Sequence, residues 1–312
     1  MLAELPKHNP LFSKSTLFQE SPTSIVRNKL IVITGPTGSG KSDLALQMAE
    51  EIGCDIISAD SRQMFREIPI GTAAPSSDDL RRVNHHFIAN LSLTDYYSAA
   101  QYEEDVINLL PSLWEKSHTQ IMCGGSMMYI DAVTRGIDLL PTISDDIRQK
   151  AWELYEKGGT QQLRLTLLDL DPLYYREVDL NNYKRLVHAI EICWQAGVPY
   201  SSLRTGGIKP RDFDIELIAI DMPRETLFDR INKRVGKMIE NGLVEEAKSV
   251  GHLRHLNSLN TVGYKELWPY IDGEISIDEA ITKIARNTRV YAKKQLTWLK
   301  TRDVTFVPQR NM

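Results

Sequence analysis

Long apolar runs and cysteine pairs are absent from this sequence, which excludes two classes of protein. The 312 residues include three widely spaced cysteines, Cys54, Cys123 and Cys193, with no Cys-x-x-Cys pair. A zinc site or a disulfide framework is therefore not expected, and the cysteine usage is typical of a reducing, cytoplasmic setting. No apolar stretch approaches the roughly 18 residues that span a bilayer, so we expect no membrane partner.

The N-terminal segment lacks the features of a targeting sequence. It has no apolar core of the kind found in secretory signals, and Pro6 and Pro10 interrupt it. We therefore expect residues 1–28 to form a disordered tail.

An excess of positive charge is also missing. The 37 lysine and arginine residues are outnumbered by 41 aspartate and glutamate residues, and the formal net charge is −4 at pH 7. No global basic field favours a nucleic-acid partner, so any such interaction has to rest on local charge.

Short β-branched runs that alternate with helical stretches indicate a parallel sheet covered on both faces. The predicted strands are 29–34, 54–59, 86–89, 120–123, 214–221 and 304–307, and the predicted helices between them are 41–52, 98–115, 224–250 and 276–300. The stretch 140–208 has no convincing strand and indicates amphipathic helices at 144–157, 160–168 and 182–196. We therefore predict an α/β fold, a P-loop NTPase-like parallel sheet formed by 29–139 and 209–312, with a helical insertion domain at 140–208.

A phosphate-loop motif, G-x-x-x-x-G-K-[ST], lies between the first predicted strand and the first predicted helix. Its residues are Gly35, Pro36, Thr37, Gly38, Ser39, Gly40, Lys41 and Ser42. The glycines let backbone N–H groups crowd around phosphate oxygens, and the helix N-terminus adds partial positive charge. Lys41 is expected to reach a terminal phosphate and Ser42 to ligate Mg²⁺. The motif predicts phosphate binding without identifying the ligand.

The acidic residue that most P-loop hydrolases carry at the end of a second strand has no counterpart here. The candidate strand 120–123 ends in Gly124-Gly125-Ser126 instead. This disfavours a motor or switch and leaves room for a loop that binds a diphosphate without hydrolysing ATP. The two glycines would allow close backbone approach to a ligand, with Ser126 at its mouth, although a plain strand–helix turn would have a similar sequence.

Polar residues at the ends of two other strands admit alternative interpretations. Asp60 follows strand 54–59, at the sheet edge where ligands bind in such folds. It would either ligate a metal or accept a proton, or merely cap the next helix. His85 and His86 could bind a metal, but adjacent residues of a strand face opposite sides, which favours a simple strand start.

Three groups of basic residues are candidates for binding an anion. Lys184, Arg185 and His188 lie on the predicted helix 182–196, and Arg185 and His188 share a face of it. A solvated helix face is nevertheless the more common explanation for such basic residues. The segment 281–302 contains seven cations and no acid, with interleaved aromatic residues, and favours a nucleic-acid backbone.

The third basic group consists of Arg230 and Arg234, one helical turn apart after strand 214–221. This position is near the rim of the phosphate site. The alternative is that the two arginines pair with Asp229 or Glu240.

Together the motifs resemble the bacterial tRNA dimethylallyltransferases, or isopentenyltransferases, from about Lys29 to Lys300. The resemblance rests on the blocks GPTGSGKS, DSRQMF, IGTAAP, HHFI, YSAAQY, GGSMMY, KRLVHAIE, RINKR followed by NGLVEEA, TVGYKE and TRVYAKKQLTW. It implies transfer of a dimethylallyl group from dimethylallyl diphosphate, with Mg²⁺, to N6 of the adenosine beside the anticodon in tRNA. The insertion would then bind the anticodon stem-loop, and we expect the protein to act as a monomer.

The resemblance also implies a role for each matching residue. Asp60 would accept the N6 proton, which favours the functional interpretation of that carboxylate. Arg234, with Arg230 as a second candidate, would neutralise the leaving diphosphate. The implied catalytic residues are Asp60, Lys41, Ser126 and Arg234, with Mg²⁺ at Ser42. The implied tRNA contacts are Asp60, Ser61, Arg62, Gln63, Ser126, Arg148, Lys184, Arg185, His188, Gly263 and Lys265.

Four positions depart from the family pattern. Ser126 replaces a threonine and keeps its hydroxyl, Met127 is bulkier than usual, and Phe65 replaces a tyrosine. His188 stands where the family usually has a second arginine. Because histidine is charged only at lower pH, the affinity for tRNA could differ.

Three other functions compete with this interpretation. An ATP-dependent small-metabolite kinase would share the P-loop but would not explain the basic segment 281–302. An isopentenyltransferase acting on free adenine nucleotides would not need the long insertion. A non-catalytic RNA-binding module would not need Lys41, Ser42 and Asp60 together.

Overall fold

Six parallel strands form a single sheet in the order β3-β2-β4-β1-β5-β6. They are β1 (Lys29–Thr34), β2 (Ile56–Ser58), β3 (His85–His86), β4 (Thr119–Cys123), β5 (Asp214–Asp221) and β6 (Thr305–Pro308). The computed structural model describes residues 27–138 and 140–308. The predicted parallel sheet is confirmed, whereas the predicted N-terminal tail, apart from residues 27 and 28, lies outside the described residues.

Helices connect the strands and cover both faces of the sheet. They are α1 (Lys41–Ile52), α2 (Pro69–Thr72), α3 (Ser77–Arg82), α4 (Ala99–Trp114), α5 (Met127–Arg135), α6 (Asp145–Leu170), α7 (Pro172–Glu177), α8 (Tyr183–Ala196), α9 (Tyr200–Leu203), α10 (Arg224–Glu240), α11 (Leu243–Ser249), α12 (Tyr264–Ile271) and α13 (Ile277–Leu299). Within the two described ranges, every helix is too short or too polar to cross a bilayer.

Alternation along β1 explains why two helical layers are needed. Leu30 and Val32 belong to the apolar cluster that includes α4 and α5, whereas Ile31 and Ile33 belong to the cluster that includes α1. Successive side chains of a strand point to opposite faces, so a strand that is apolar throughout is buried on both. This places the carboxyl end of β1 between two packed layers, where the phosphate-loop sequence begins.

Two predicted elements are interrupted in the structure. The single helix predicted at 224–250 is divided into α10 and α11, because Gly242 adopts a φ of 95° that a helix does not tolerate. The strand predicted at 86–89 is limited to β3, because Phe87 and Ala89 have positive φ angles of 63° and 49°. In both cases the apolar pattern continues across a local break of the backbone.

Helices α6 to α9 pack around an apolar cluster of their own, which includes Leu163, Leu167, Leu186 and Ile190. Helix α6 is broken at Gly159 (φ 60°, ψ −162°), between the two helices that the sequence predicts. The division of the chain into a core and an insertion at 140–208 stays a prediction.

Helices α6 and α8 run antiparallel. The Ser144 amide at the start of α6 donates to Gln195 near the end of α8 at 2.9 Å. About three helical turns further along α6, the ring of Tyr155 stacks on the ring of Tyr183 at the start of α8, with centroids 4.6 Å apart.

A buried carboxylate on α4 binds both chain connections between the sheet and helices α6 to α9. Glu103, 6% exposed, accepts hydrogen bonds from the Ile137 amide at 3.0 Å, from Lys209 Nζ at 3.0 Å and from Arg211 Nη2 at 2.7 Å. Burial by itself raises the pKa of Glu103, but the hydrogen bonds from Arg211 and Lys209 outweigh it, and the pKa is lowered. The stabilisation is therefore present at neutral pH and is lost as the pH falls through that lowered value.

Substitution of Glu103 by alanine is expected to lower the free energy of unfolding by about 3 kcal/mol, the lower end of the range for breaking a buried ion pair. The lower end applies because Lys209 is partly exposed. Urea unfolding would measure the change. Glu104→Ala, at the neighbouring exposed position, should change the unfolding free energy by less than about 0.5 kcal/mol. Equal effects of both substitutions would contradict the role given to Glu103.

Candidate active site

The carboxyl end of β1 leads into a loop whose backbone amides can surround an anion. Gly38 and Gly40 have φ angles of 87° and 92°, which L-residues with a side chain rarely adopt. Within the described part of the chain, the amides of these two glycines have no protein acceptor. The amides of Lys41 and Ser42 follow in the first turn of α1, where helical amides have no intrahelical partner. These free amides leave room for an anion, and phosphate binding by the loop stays a prediction.

Lys41 and Ser42 open α1 beside the end of β4. Burial lowers the pKa of Lys41, although the nearby Cys123 thiol and Asp60 carboxylate oppose the shift. Cys123 donates to the Lys41 carbonyl with its Sγ at 3.7 Å, and burial raises the pKa of this thiol to about 11. Cys123 therefore stays a neutral wall of the cradle, and the positive charge comes from Lys41.

Asp60 lies just beyond β2 and does not cap a helix. Its Oδ1 accepts the Arg62 amide at 3.0 Å within a turn, and the next helix, α2, begins only at Pro69. The helix-cap alternative is therefore wrong. Among the described residues, its second oxygen has no hydrogen-bond donor. The carboxylate lines two cavities, of about 80 Å³ and about 330 Å³, at this edge of the sheet.

Ser126 connects the end of β4 to the segment after β2. Its Oγ accepts the Ser61 amide at 2.9 Å and lies 3.1 Å from the Ser61 hydroxyl, to which it can donate. The preceding glycines allow close protein packing and also line the smaller cavity, so the expected approach of their backbone to a ligand stays a prediction. A Cβ on Gly124 would lie 2.1 Å from the Ala59 carbonyl oxygen, and one on Gly125 would lie 2.3 Å from Nε2 of Gln295.

Three arginines converge on the site, and none has a carboxylate of residues 27–138 or 140–308 at salt-bridge distance. Arg62 and Arg234 line the larger cavity, of about 330 Å³. Burial lowers the pKa of both guanidinium groups, while the Asp60 carboxylate opposes the shift. Arginine nonetheless remains charged at neutral pH. Arg230 lies beside the phosphate loop, with a guanidinium nitrogen 3.3 Å from the position of a Cβ on Gly40. In the described ranges neither Arg230 nor Arg234 pairs with Asp229 or Glu240.

Two adjoining cavities meet at Asp60 and Arg234. The smaller, of about 80 Å³, is mainly polar and is lined by Lys41, Ser42 and Gln63 among others. The larger, of about 330 Å³, is lined by both polar and apolar residues. The polar residues include Ser61, Arg62, Ser126 and Lys265, the apolar residues are Ile231, Val235, Met238, Val262 and Ile284, and Gly263 also lines the cavity. The pair can hold a ligand with a charged head and a short apolar chain.

The other predicted tRNA contacts lie on helices α6 and α8, apart from these cavities. Arg148, Lys184, Arg185 and His188 are exposed. Arg148 lies one turn into α6, opposite about residue 191 of α8, whereas Arg185 lies at the beginning of α8, about 9 Å away along its axis. Of these four, only His188 lies near a carboxylate of the described residues, with Nδ1 3.9 Å from Glu191. All four therefore lie on the antiparallel pair of helices α6 and α8.

The basic residues of segment 281–302, which includes most of helix α13, differ in their contacts. Arg302 forms a salt bridge with Asp131 at 2.7 Å, and Trp298 donates to the same carboxylate at 2.9 Å. This pair attaches the end of α13 to α5, so Arg302 is not a free cation for a nucleic acid. The exposed cations that remain are Lys283, Arg286, Lys293, Lys294 and Lys300.

Two residues of the site on α13 have no role in the sequence prediction. Tyr291 donates to the Gly125 carbonyl at 3.1 Å, and Gln295 bridges Gly125 and the Thr37 amide. They are one helical turn apart and face inward. A polar residue at a core-facing position of an amphipathic helix is the signal that points to them.

The small-residue loop around α2 also lines the site, and distant residues hold it there. The amides of Ile70 and Gly71 both donate to the Glu246 carboxylate at 2.8 Å. Gly71 has to be glycine, because a Cβ would lie 2.3 Å from the Tyr264 hydroxyl.

The histidine pair has a structural role in β3. His86 Nε2 lies 2.8 Å from Asp55, and His85 Nδ1 lies 2.8 Å from the Val83 carbonyl. Across the described residues no group of three or more His, Cys, Asp or Glu side chains could hold a metal ion.

Comparison with known proteins identifies relatives over most of the chain. The family model "IPP transferase" matches residues 63–302. A tRNA dimethylallyltransferase 2 of Parabacteroides distasonis is 52% identical over 273 residues, which is 88% of this chain and 91% of that protein. A tRNA dimethylallyltransferase 1 of Bacteroides thetaiotaomicron is 52% identical over 271 residues, 87% of this chain and 88% of that protein.

Solved structures agree with the sequence relatives. The tRNA isopentenylpyrophosphate transferase of Bacillus halodurans is 32% identical, with a TM-score of 0.65 and coverage of 90% of both chains. A eukaryotic dimethylallyltransferase acting on tRNA has a TM-score of 0.76 over 90% of this chain and 74% of that one; at 23% identity this shows the fold alone. From the match to the family model and the 52% identity to two relatives, we conclude that this chain belongs to the IPP transferase family.

Proposed function

We propose that the protein is a tRNA dimethylallyltransferase, which transfers the dimethylallyl group of dimethylallyl diphosphate to N6 of the adenosine 3′-adjacent to the anticodon. The observation that carries the proposal is the position of Asp60, at the junction of a polar phosphate cradle and a half-apolar cavity. The names of the relatives support the same reaction. We place the reaction in the cytoplasm because its acceptor is tRNA. We also propose that the protein acts as a monomer.

The reaction requires help at both ends of the bond that forms. The N6 amine of adenine is a poor nucleophile because its lone pair is delocalised into the ring. As its nitrogen bonds to C1 of the dimethylallyl group, the C–O bond to diphosphate breaks and N6 loses a proton. Asp60 takes that proton with the oxygen that no protein donor occupies. Lys41 and Arg234 stabilise the charge that develops on the diphosphate.

The two cavities suit the two parts of the donor. The amides of Gly38 and Gly40 and the Lys41 ammonium bind the diphosphate. The apolar residues that line the larger cavity, including Ile231, Val235 and Met238, exclude water from the allylic carbon. Water excluded from this carbon cannot compete with adenine for the allyl group.

A magnesium ion fits the donor set of the smaller cavity. Mg²⁺ favours oxygen ligands, keeps several waters and is usually bound by one or two protein groups together with substrate phosphates. The exposed Ser42 hydroxyl lines this cavity and supplies such a group. When bound, the ion would neutralise charge on the diphosphate.

The acceptor adenosine has to leave its stack to reach Asp60. This costs a few kcal/mol, and the cost is smallest in a loop. Ser61, Arg62, Gln63, Ser126, Gly263 and Lys265 surround the path of the extruded base, and Arg148, Lys184, Arg185 and His188 contact the anticodon stem-loop. We propose residues 140–208 as the domain that holds the stem-loop against the core.

Substitution of Arg185 by alanine is expected to weaken tRNA binding several-fold and to lower the salt dependence of binding by about one ion, because one phosphate contact is lost. The rate at saturating tRNA should not change. Filter binding at several salt concentrations measures both quantities. Lys157→Ala, which removes a cation already paired with Glu153 at 3.1 Å, is the control. An unchanged salt slope for Arg185→Ala would contradict the contact.

Transfer of a labelled group tests the proposed function. The protein is incubated with radiolabelled dimethylallyl diphosphate, Mg²⁺ and unmodified tRNA, with AMP and ATP as acceptors in parallel. We expect label on tRNA only. Label on AMP or ATP alone would favour the isopentenyltransferase of free nucleotides. No transfer to any acceptor by folded protein would contradict the proposal and favour the kinase, for which phosphorylation by ATP is the assay.

A further inference from the structure

Gln295 joins the phosphate loop to the Gly124-Gly125 turn. Its Oε1 accepts the Thr37 amide at 2.8 Å, and its Nε2 donates to the Gly125 carbonyl at 2.9 Å. Because the first partner can only donate and the second can only accept, they fix the orientation of the glutamine amide. The side chain is 2% exposed and lines the smaller cavity beside Lys41 and Ser42. It is a buried polar group of the site that the reaction above does not use.

The backbone amides of the phosphate loop divide into two sets. Thr37 donates to Gln295, and Ser39 donates to the Pro36 carbonyl at 3.1 Å. Among the described residues the amides of Gly38 and Gly40 have no protein acceptor. The part of the loop that can bind an anion is therefore confined to Gly38 and the residues that lead into α1, and its Thr37 end is closed.

This closure limits the length of the phosphate chain that fits. In a loop of this type that binds a triphosphate, backbone amides cradle two phosphoryl groups and the lysine reaches the third. Here the space around Lys41 is about 80 Å³ and is lined by Gln295, and it adjoins the larger cavity at Asp60 and Arg234. A third phosphoryl group would meet the Gln295 side chain and would find the Thr37 amide already bonded.

We propose that Gln295 makes this site selective for a diphosphate over a triphosphate, by occupying the Thr37 amide and the space beside Lys41. The inference rests on the proposed function in that it takes a diphosphate as the ligand. It adds a specificity residue that lies on the last long helix, far from the loop in sequence. The alternative is that Gln295 only ties α13 to the sheet, in which case its loss would change stability without changing selectivity.

Direct binding of two inorganic anions separates these roles without requiring catalysis. Pyrophosphate and tripolyphosphate are titrated into the full-length protein by isothermal titration calorimetry, in the same Mg²⁺-containing buffer. We expect the unaltered protein to prefer pyrophosphate. In Gln295→Ala the preference should shift toward tripolyphosphate by about tenfold, the value of one hydrogen bond to a charged group. Gln295→Met, which frees the Thr37 amide but keeps the volume, should give a smaller shift in the same direction.

A second buried glutamine provides the matched control. Gln120 is 1% exposed and donates to the carbonyls of Leu113 and Ser117, outside both cavities. Gln120→Ala should lower stability and leave the selectivity ratio unchanged. If Gln295→Ala does not fold, the ratio of Gln295→Met decides. A ratio unchanged in the Gln295 variants, with pyrophosphate still bound, would overturn this inference alone. Failure of the unaltered protein to bind pyrophosphate would contradict the proposed function and the inference with it.

Discussion

Replacement of Asp60 by asparagine is expected to slow dimethylallyl transfer by about 10²- to 10⁴-fold, the usual contribution of a positioned general base. The affinity for tRNA should stay nearly the same. Asparagine has almost the same shape, and its Oδ1 can still accept the Arg62 amide that holds the turn. It cannot take up the N6 proton at neutral pH. Single-turnover transfer of label to tRNA, together with a binding titration of tRNA, measures both quantities.

Asp55→Asn is the control for this substitution. Asp55 precedes β2 at the end opposite Asp60 and bonds to His86 and Asn84, each at 2.8 Å, outside both cavities. Its replacement should leave the transfer rate close to that of the unaltered protein. A joint loss of transfer and of tRNA affinity in Asp60→Asn would show instead that Asp60 supports the fold.

Replacement of Lys41 by methionine is expected to lower kcat/KM for dimethylallyl diphosphate by about 10²- to 10³-fold, the cost of removing one preorganised group that stabilises developing charge. The KM for tRNA should not change, because Lys41 lines the smaller cavity, where we propose that the diphosphate binds. Steady-state kinetics with each substrate varied in turn separates the two effects.

The same lysine predicts the pH dependence of donor binding. Burial lowers the pKa of Lys41, so its charge is lost at a lower pH than that of an exposed lysine. The affinity for diphosphate should therefore fall as the pH rises, before exposed lysines titrate.

Lys29→Met controls for the loss of a lysine on the same strand. Lys29 begins β1, at the end opposite the phosphate loop, and pairs with Glu216 at 2.6 Å. Its loss should have little effect on kcat/KM for the donor. Equal losses in Lys29→Met and Lys41→Met would mean that the effect is general destabilisation and would contradict the assignment of Lys41 to the leaving group.

The parts of the fold that the sequence predicts well are those determined by local pattern. Strands β1 and β5 have the predicted bounds, because each is rich in apolar, β-branched residues and lies between turn signals. The position of the phosphate loop follows from the same pattern, since its glycines are required by the backbone. Roles inferred from the family resemblance, such as those of Arg148 and Lys184, stay predictions.

The parts that the sequence does not predict depend on contacts between distant residues. Gln295 and Thr37 are separated by most of the chain, and nothing near either residue indicates that they share a hydrogen bond. Glu246 fixes the loop around α2 in the same way. Such contacts can be seen only after the sheet has brought the segments together.

Local breaks of the backbone are a second source of error. The apolar period of α10 continues through α11, so the pattern alone gives one helix. The positive φ of Gly242 ends the first helix, and a single glycine within a helical pattern does not by itself predict that conformation.

Analysis of the nucleosides in reacted tRNA tests the central claim most directly. Unmodified tRNA is incubated with the protein, Mg²⁺ and dimethylallyl diphosphate, then digested and examined by mass spectrometry beside a tRNA that carries guanosine 3′ to the anticodon. We predict one N6-dimethylallyladenosine per tRNA in the first sample and none in the second. Equal prenylation of both tRNAs, or none in either with folded protein, would contradict the claim that Asp60 and the phosphate cradle act on that single adenosine.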